Sequence, residues 1–475
     1  MEKYNYLKQA IKIVKKLIES NDVVDDNVID FLLDSNKNTR YTPEFIKNFC
    51  GETVLSDVVL PGFTLLHKCV ILTAKYPNLN NILRNYFNVC SEFHDSINTT
   101  IINGWSALHL ASKYSKTYSM EETVKFLIGA GSNVNLQDND GCSALHLASR
   151  YSKTTSTEGT VKLLIDAGAN VNLQNNDGFS VLYMASRNSK TDSTEETVKL
   201  LIDAGANVNL QDNDGWSALH IASLYSKKYS TEETVKLLID AGANVNLQDD
   251  DGWSALHIAS RFSKIKSTEG TVKLLIDAGA NVNLQENYGR SALHFASRFS
   301  KTESTEDTVK LLINYGANVN LRDNEGWTAL HMASRNSGID STKGTIKLLI
   351  DSGANVNLQD NAGWSALHFA SCNLKTNSTE ETMIMLVLNG ANINLKNNNN
   401  KTPIDLLPDG FEKIKSIFTM IIEQKKYKKN IGECVICFGK LESFTCNYNH
   451  HICFECLVRS KNKFCPICFK QFKLL

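Results

Sequence analysis

The chain has 475 residues, of which 42% are hydrophobic and 21% are charged, and its formal net charge is −1. This composition is typical of a soluble protein with enough apolar side chains for a buried core. The balanced charge argues against a molecule that is drawn as a whole to nucleic acid or to an anionic membrane.

Residues 1–60 contain no recognisable domain. Apolar residues recur there at helical spacing, at Leu7, Ile11, Val14 and Ile18, and predict a partly helical region without an assigned function. The N-terminus lacks the basic start and apolar run of a signal peptide, and apolar stretches such as 383–388 are too short to cross a bilayer. We therefore expect a protein that is not secreted, has no membrane partner and works in the cytoplasm or nucleocytoplasm.

A 37-residue repeat occupies the middle of the chain. Eight glycines keep this spacing: Gly104, Gly141, Gly178, Gly215, Gly252, Gly289, Gly326 and Gly363. Each opens a segment such as 215–223, which is followed after an interval by a second segment such as 234–247. Weaker copies begin at Gly62 and Asn400, so we expect about ten units over residues 61–425.

The residues of one unit predict helix, loop, helix and turn. Ser217 is a candidate N-cap of the first helix, and Ser230 with Glu233 forms a candidate capping box for the second. Val235, Leu238 and Ile239 form the predicted apolar stripe of the second helix. Gly242 follows the last turn, where a left-handed residue ends a helix.

These segments resemble the ankyrin-repeat family, whose units read Gly-x-Thr-Pro-Leu-His-x-Ala and later Gly-Ala-Asn/Asp-Val-Asn. The resemblance implies a mainly α-helical solenoid with terminal caps over residues 61–425. The family period is shorter by four residues, and we assign the additional residues to a Ser-Lys-x-x-Ser-Thr loop between the two helices. We expect that loop to be polar and solvated. The Gly178 unit is the least regular, with Val181 and Tyr183 where other units have alanine and histidine.

One repeat position carries histidine in eight units. In the family this histidine hydrogen-bonds to neighbouring backbone, and we expect the same here rather than a catalytic base or a metal ligand. The residues are His67, His109, His146, His220, His257, His294, His331 and His368.

Tryptophan follows the turn glycine in five units, at Trp105, Trp216, Trp253, Trp327 and Trp364. By resemblance to the family this position projects onto the concave binding face, and a second contact position carries Arg150, Arg261 and Arg298. Aromatic and arginine side chains dominate protein-binding hot spots. We predict that these residues bind a protein substrate; the alternative is that the rings pack against neighbouring units.

The C-terminal segment has the ligand spacing of a metal site. Its eight candidate ligands are Cys434, Cys437, Cys446, His450, Cys453, Cys456, Cys465 and Cys468. Thiolates and imidazole in sets of four suit two tetrahedral Zn²⁺ ions. Clustered cysteines without a signal peptide favour metal over disulfides, and so short a segment needs metal binding to fold.

The ligand order of three cysteines, one histidine and four cysteines resembles the RING finger; a PHD finger would have its histidine fifth. The resemblance implies a cross-braced RING domain at 434–475 after a basic linker at 426–433. One zinc ion would be held by Cys434, Cys437, Cys453 and Cys456, and the other by Cys446, His450, Cys465 and Cys468.

RING domains hold a ubiquitin-conjugating enzyme beside a substrate and form no covalent intermediate, so the resemblance implies a ubiquitin ligase that acts by positioning. The expected docking residues are Ile436, Ser460, Pro466 and Lys470. Ile436 and Pro466 match active ligases, whereas Ser460 replaces a common tryptophan and Phe469 replaces a common cation. The alternative is a non-catalytic scaffold or competitor with a structural zinc finger.

Residues 425–475 contain ten Lys/Arg and three acidic residues. We interpret this excess as a solvated linker and a basic domain surface, because no recognition motif for nucleic acid accompanies it. The Asn-, Ile- and Lys-rich composition with near-identical repeats is similar to ankyrin proteins of giant DNA viruses of amoebae, which would make host proteins the substrates.

Overall fold

The computed structural model describes residues 64–73, 79–86, 97–116, 118–374 and 376–411, together with a few isolated positions near the ends and the backbone of three strands. The prediction for residues 1–60 lies almost entirely outside this part; Val14, one of its apolar positions, is helical and nearly buried. No helix in the described residues is long and apolar enough to cross a bilayer.

The described helices alternate along the chain as the repeat predicts. They are α1 Leu65–Leu72, α2 Leu79–Tyr86, α3 Ala107–Lys113, α4 Tyr118–Gly129, α5 Ala144–Arg150, α6 Glu158–Asp166, α7 Val181–Arg187, α8 Glu195–Asp203, α9 Ala218–Tyr225, α10 Glu232–Asp240, α11 Ala255–Phe262, α12 Glu269–Asp277, α13 Ala292–Phe299, α14 Glu306–Asn314, α15 Ala329–Asn336, α16 Lys343–Asp351, α17 Ala366–Cys372 and α18 Glu380–Leu388. Odd-numbered helices are the first of each repeat, and even-numbered helices are the second.

The chain forms two compact units. The first comprises residues 1–296 and 303–317, and the second comprises residues 297–302 and 318–475. Within the first unit, α3, α5, α7, α9 and α11 pack in sequence against one another; within the second, α15 packs against α17 and α16 against α18.

A serine or threonine caps the N-terminus of the first helix in the repeats. Ser217 is the N-cap of α9, as predicted, and its backbone N–H donates to His220 Nδ1 at 3.1 Å. The histidine therefore takes the place that glutamate has in the usual capping box. The His220 ring thus stabilises the start of its own helix through Nδ1 and binds the backbone of the neighbouring repeat through Nε2.

The predicted capping box of the second helix is wrong by one residue. Thr231, not Ser230, caps α10, and its hydroxyl accepts from the Thr234 backbone N–H at 3.0 Å. Ser230 is fully buried, and its hydroxyl lies 3.1 Å from Ser189 Oγ in the preceding repeat. Because the Ser230 hydroxyl contacts the preceding repeat, Thr231 and not Ser230 caps the helix.

Turn glycines adopt the left-handed conformation that the sequence predicts. Gly242, which follows α10, has φ +85°, and Asn400, which stands in the glycine position of the last unit, has φ +58°. After Asn400 the chain forms a 3₁₀ helix, Ile404–Leu406, in place of a first α-helix. Asparagine tolerates this backbone conformation better than other non-glycine residues.

The core repeats the same positions in each unit. Val235 and Leu238 are 0% exposed, which agrees with the predicted stripe of the second helix, and Leu219 of α9 is 1% exposed. Ile239, however, is only half-buried, and the fully buried Thr234 completes the inner face of α10.

The inserted loop between the helices is only partly solvated: Lys227 and Lys228 are exposed, as predicted, but the serines of the loop are buried. Ser226 and Ser267 are 5% and 0% exposed, and their hydroxyl oxygens lie 3.2 Å apart across two repeats. Thr271 Oγ1 donates to Ser226 Oγ at 2.6 Å, and the Lys227 N–H donates to the Lys266 carbonyl at 3.1 Å. Buried polar groups require such partners, so the insertion adds a ladder of hydrogen bonds between repeats.

Three short strands follow the repeats: β1 Ile431–Glu433, β2 Lys440–Thr445 and β3 His451–Cys453. They form an antiparallel sheet in the order β1-β2-β3, with Glu433 paired to Lys440 and Thr445 paired to His451. Their side chains lie outside the described part of the chain.

Candidate protein-binding surface

The five tryptophans lie immediately before the first helix of their repeats, and none projects freely. Trp105 is 8% exposed, and its indole Nε1 donates to Asp138 Oδ2 of the following repeat at 2.9 Å. The remaining four, Trp216, Trp253, Trp327 and Trp364, are half-buried. Each ring therefore presents only part of its surface to a partner.

The rings pack against neighbouring side chains, as in the alternative interpretation. In the first unit Trp253 packs against Phe295 of the next repeat, with ring centroids 4.3 Å apart. In the second unit Trp327 contacts Phe369 at 4.2 Å, and Trp364 contacts the same phenylalanine at 5.1 Å. These contacts fix the ring positions before any partner arrives, which lowers the entropic cost of binding.

A cation at the end of the first helix lies over the tryptophan of the same repeat. The Arg261 guanidinium is 5.7 Å from the Trp253 ring, and in the second unit Arg335 is 5.3 Å from Trp327. Lys113 Nζ is 4.7 Å from the Trp105 ring. Such cation–π pairs contribute about 0.5–2 kcal/mol each.

The structure thus joins Trp253 to Arg261, both of which the sequence singled out, and adds partners that sequence reasoning did not name. Phe295 belongs to this surface in the first unit, and Arg335 and Phe369 belong to the corresponding surface in the second. The sequence could have predicted the cations, because they follow the turn glycine at a constant separation along the chain. The phenylalanines could not, because a helix-face phenylalanine is equally typical of the core.

Two predicted arginines have no tryptophan in their repeats. Cys142 and Arg290 follow the turn glycine there, and Arg150 and Arg298 instead lie over the rings of Tyr151 and Phe299 at 5.1 and 4.8 Å. Arg150 Nε is buried without a hydrogen-bond partner among the described residues.

Carboxylates support the turns beneath this surface. Asp249 Oδ1 accepts from the backbone N–H of Trp253 at 2.7 Å and of Asp251 at 3.1 Å. Burial raises the pKa of Asp249 above its ordinary value. Arg261 Nε also pairs with Glu303 Oε2 at 3.0 Å.

The histidines are structural, as predicted. His220 Nε2 lies 3.1 Å from the Trp253 carbonyl and 3.1 Å from the Leu247 carbonyl. Burial lowers the pKa of His220 to about 4, so the ring is neutral near pH 7. In the irregular unit Tyr183 replaces histidine and stacks on Phe179 with centroids 4.6 Å apart.

The predicted zinc ligands and docking residues lie outside the described side chains. This applies to all eight candidate ligands and to Ile436, Ser460, Pro466 and Lys470. Cys453 is described only as backbone in β3. Among the described residues no group of three or more His, Cys, Asp or Glu side chains could hold a metal ion.

Comparison with known proteins agrees with the repeat geometry. A family model described as "Ankyrin repeats (3 copies)" matches overlapping segments: 66–156, 115–195, 153–249, 190–268, 225–323, 263–343 and 299–397. No curated protein matches the chain. Ankyrin repeats mediate protein–protein interaction. From residue 66 to residue 397, then, the chain belongs to the ankyrin-repeat family.

Proposed function

We propose that the chain is a RING-type ubiquitin ligase in which the ankyrin repeats bind a protein substrate and residues 434–475 recruit a ubiquitin-conjugating enzyme. The observation that carries this proposal is the union, in one chain, of a repeat-built binding surface with an eight-ligand array in the RING order. We further propose that it works in the cytoplasm or nucleocytoplasm, on host proteins if the chain is viral.

The donor set supports two zinc ions. Seven thiolates and one imidazole are soft or borderline ligands, and four per ion leave a closed structural site. Cys434 directly follows β1, and Cys446 and His450 flank the connection between β2 and β3. Thr445 pairs with His451 in these strands, and Cys446 and His450 are the adjacent residues along the chain; by resemblance to the RING family we assign both to one ion.

In this proposal the zinc ions supply folding free energy and take no part in the transfer itself. Ile436 and Pro466 would contact the conjugating enzyme and hold its ubiquitin thioester near the substrate bound by the repeats. A substrate amine would then attack the thioester carbonyl, which forms an amide bond to ubiquitin and releases the cysteine thiol of the conjugating enzyme. Catalysis would come from proximity and orientation.

A second candidate function is a scaffold or competitor whose zinc domain only docks or dimerises. Ser460 and Phe469 favour it, because active members of the RING family often carry tryptophan and a cation at these positions. Capture of partners that is unchanged after Cys434→Ser, in a chain without ligase activity, would support the scaffold.

Ubiquitin transfer by the purified full-length chain tests the proposal. With zinc, ATP, activating enzyme and a broad panel of conjugating enzymes, we expect ubiquitin chains that depend on the ankyrin protein. Ile436→Ala should lower the rate at least about tenfold, because a hot-spot contact with the conjugating enzyme is lost. The matched control is Ile339→Ala, which truncates an exposed isoleucine in the repeats.

Absence of chain formation with every conjugating enzyme, or equal rates for the wild type and Ile436→Ala, would contradict the ligase. Absence of chain formation would favour the scaffold function instead.

A further inference from the structure

The insertion loops of the first unit carry two rows of cations. Lysine recurs two or three residues after the end of each first helix, at Lys116, Lys153, Lys190, Lys227 and Lys264, and all five are exposed. A second row, at the end of the helices, holds Lys113, Arg150, Arg187 and Arg261. In a chain with a net charge of −1, this concentrates positive charge on one face.

Hydrogen bonds hold the lysine row in place. Lys153 Nζ donates to the Lys190 carbonyl at 2.6 Å, and Lys190 Nζ donates to the Lys227 carbonyl at 2.9 Å. Lys227 Nζ donates to the Lys264 carbonyl at 2.6 Å. Each ammonium thus spans one repeat and keeps two further N–H groups for other acceptors.

Within the described part of the chain, the charges of the three lysines in the middle of the row are not neutralised. No carboxylate lies at ion-pair distance from Lys153, Lys190 or Lys227 there; the ion pairs found involve other lysines and arginines. Two acids border the face. Glu303 pairs with Arg261 at 3.0 Å, and Asp192 Oδ2 accepts a hydrogen bond from Thr191 at 3.4 Å.

Aromatic rings between the cations are already covered. The Arg150 guanidinium lies 5.1 Å from the Tyr151 ring, and Arg187 lies 5.8 Å from the Tyr225 ring. Proteins that bind single-stranded nucleic acid offer free ring faces to the bases. Here the guanidinium groups occupy ring faces, so the surface favours carboxylates over nucleotides.

The spacing of the row points to an extended polypeptide. Stacked helices lie about 8–10 Å apart, and a chain in the extended polyproline II conformation advances about 3.1 Å per residue and turns once in three residues, so that every third side chain lies on one face. Every third residue of such a chain would therefore meet one repeat.

From this match we propose that the cation rows of the first unit bind an extended acidic segment of a partner protein, with carboxylates at about every third residue. The proposal rests on the proposed function of the repeats as a substrate-binding module, and it names the chemical class of the substrate segment.

Fluorescence anisotropy with the full-length chain tests it. The probe is a fluorescein-labelled peptide of about 15 residues, enough to span about five repeats, with the repeating sequence Glu-Ser-Gly. We expect binding at low salt that weakens as salt rises. The variant K153E/K190E/K227E should bind at least about tenfold more weakly, because three attractions become repulsions.

The matched control is K162E/K199E/K236E. It makes the same charge change in the same three repeats, at exposed lysines of α6, α8 and α10, and should bind within about twofold of the wild type, since charges on another face are screened. The milder K153Q/K190Q/K227Q, which can keep the side-chain hydrogen bonds to the next loop, should show an intermediate loss and guards against unfolding of the charge-reversed chain.

Three results would overturn the proposal. They are no binding of the acidic peptide at low salt, equal weakening in the row variant and the control variant, and tighter binding of a thymidine oligonucleotide than of the peptide. Because the assay contains no conjugating enzyme, its failure leaves the ligase proposal untouched; ubiquitin transfer by the same preparation reports on that separately.

Discussion

Two groups of buried hydroxyls in the repeats have opposite energetic roles. In one group the hydroxyl has no hydrogen-bond partner among the residues that the structure describes, and its members occupy one position near the end of each first helix: Ser112, Ser149, Ser186, Ser223, Ser260, Ser297, Ser334 and Ser371. In the other group the hydroxyls join adjacent repeats. Ser193 Oγ, for example, donates to the Ser149 carbonyl at 2.7 Å and lies 3.3 Å from Ser152 Oγ.

Two serine-to-alanine substitutions in one repeat separate these roles. Ser186 and Ser193 are both fully buried. Ser186→Ala should leave the free energy of unfolding unchanged or raise it by up to about 1 kcal/mol, because it removes an unsatisfied hydroxyl and improves helix propensity. Ser193→Ala should lower it by about 1–2 kcal/mol, because its partners lose a donor. Urea unfolding followed by circular dichroism measures both; equal destabilisation would show that the two hydroxyl groups of residues do not differ.

At the scale of the element, the regular parts of a repeat could be predicted from the sequence and the contacts between repeats could not. Helix order, the Ser217 cap and the left-handed glycines follow from local chemistry. The sequence predicts the cap of α10 one residue too early, because Ser230 and Thr231 are equally suitable as caps. The contact of Ser230 with Ser189 in the preceding repeat leaves Thr231 as the cap. For the insertion, the polar sequence predicts a solvated loop and gives no sign that the serines, unlike the lysines, are buried in a ladder.

Turn glycines provide a second matched pair. Gly215 and Gly242 have φ of +82° and +85°. A Cβ at Gly215 would lie 2.7 Å from the backbone nitrogen of Asp250 in the next repeat, whereas a Cβ at Gly242 would meet no atom within 4 Å. Gly242→Ala should therefore cost about 1–2 kcal/mol for the backbone conformation alone.

Gly215→Ala should cost more, by about 1–3 kcal/mol, because the neighbouring turn must also move. Thermal unfolding midpoints of the two variants give the comparison. A Gly242→Ala variant less stable than Gly215→Ala would contradict the close approach of successive turns.

At the scale of the whole molecule, the chain combines repeats that bind a protein with a C-terminal segment that the sequence predicts to bind metal. The repeats at 66–397 are established by the family match and by helix packing within each unit. The candidate surface was only partly predictable. The sequence named Trp253 and Arg261, but the packing that half-buries the tryptophans depends on Phe295 and Phe369, which lie in neighbouring repeats or on the adjoining helix.

Everything assigned to the C-terminal segment depends on metal, because residues 434–475 are too few to fold around an apolar core alone. Zinc content of the purified full-length chain, measured by inductively coupled plasma mass spectrometry after dialysis, tests this most directly. The account predicts about two zinc atoms per chain and a clear loss after Cys434→Ser, since four protein ligands close each structural site. Markedly fewer than two zinc atoms in the wild type would contradict it.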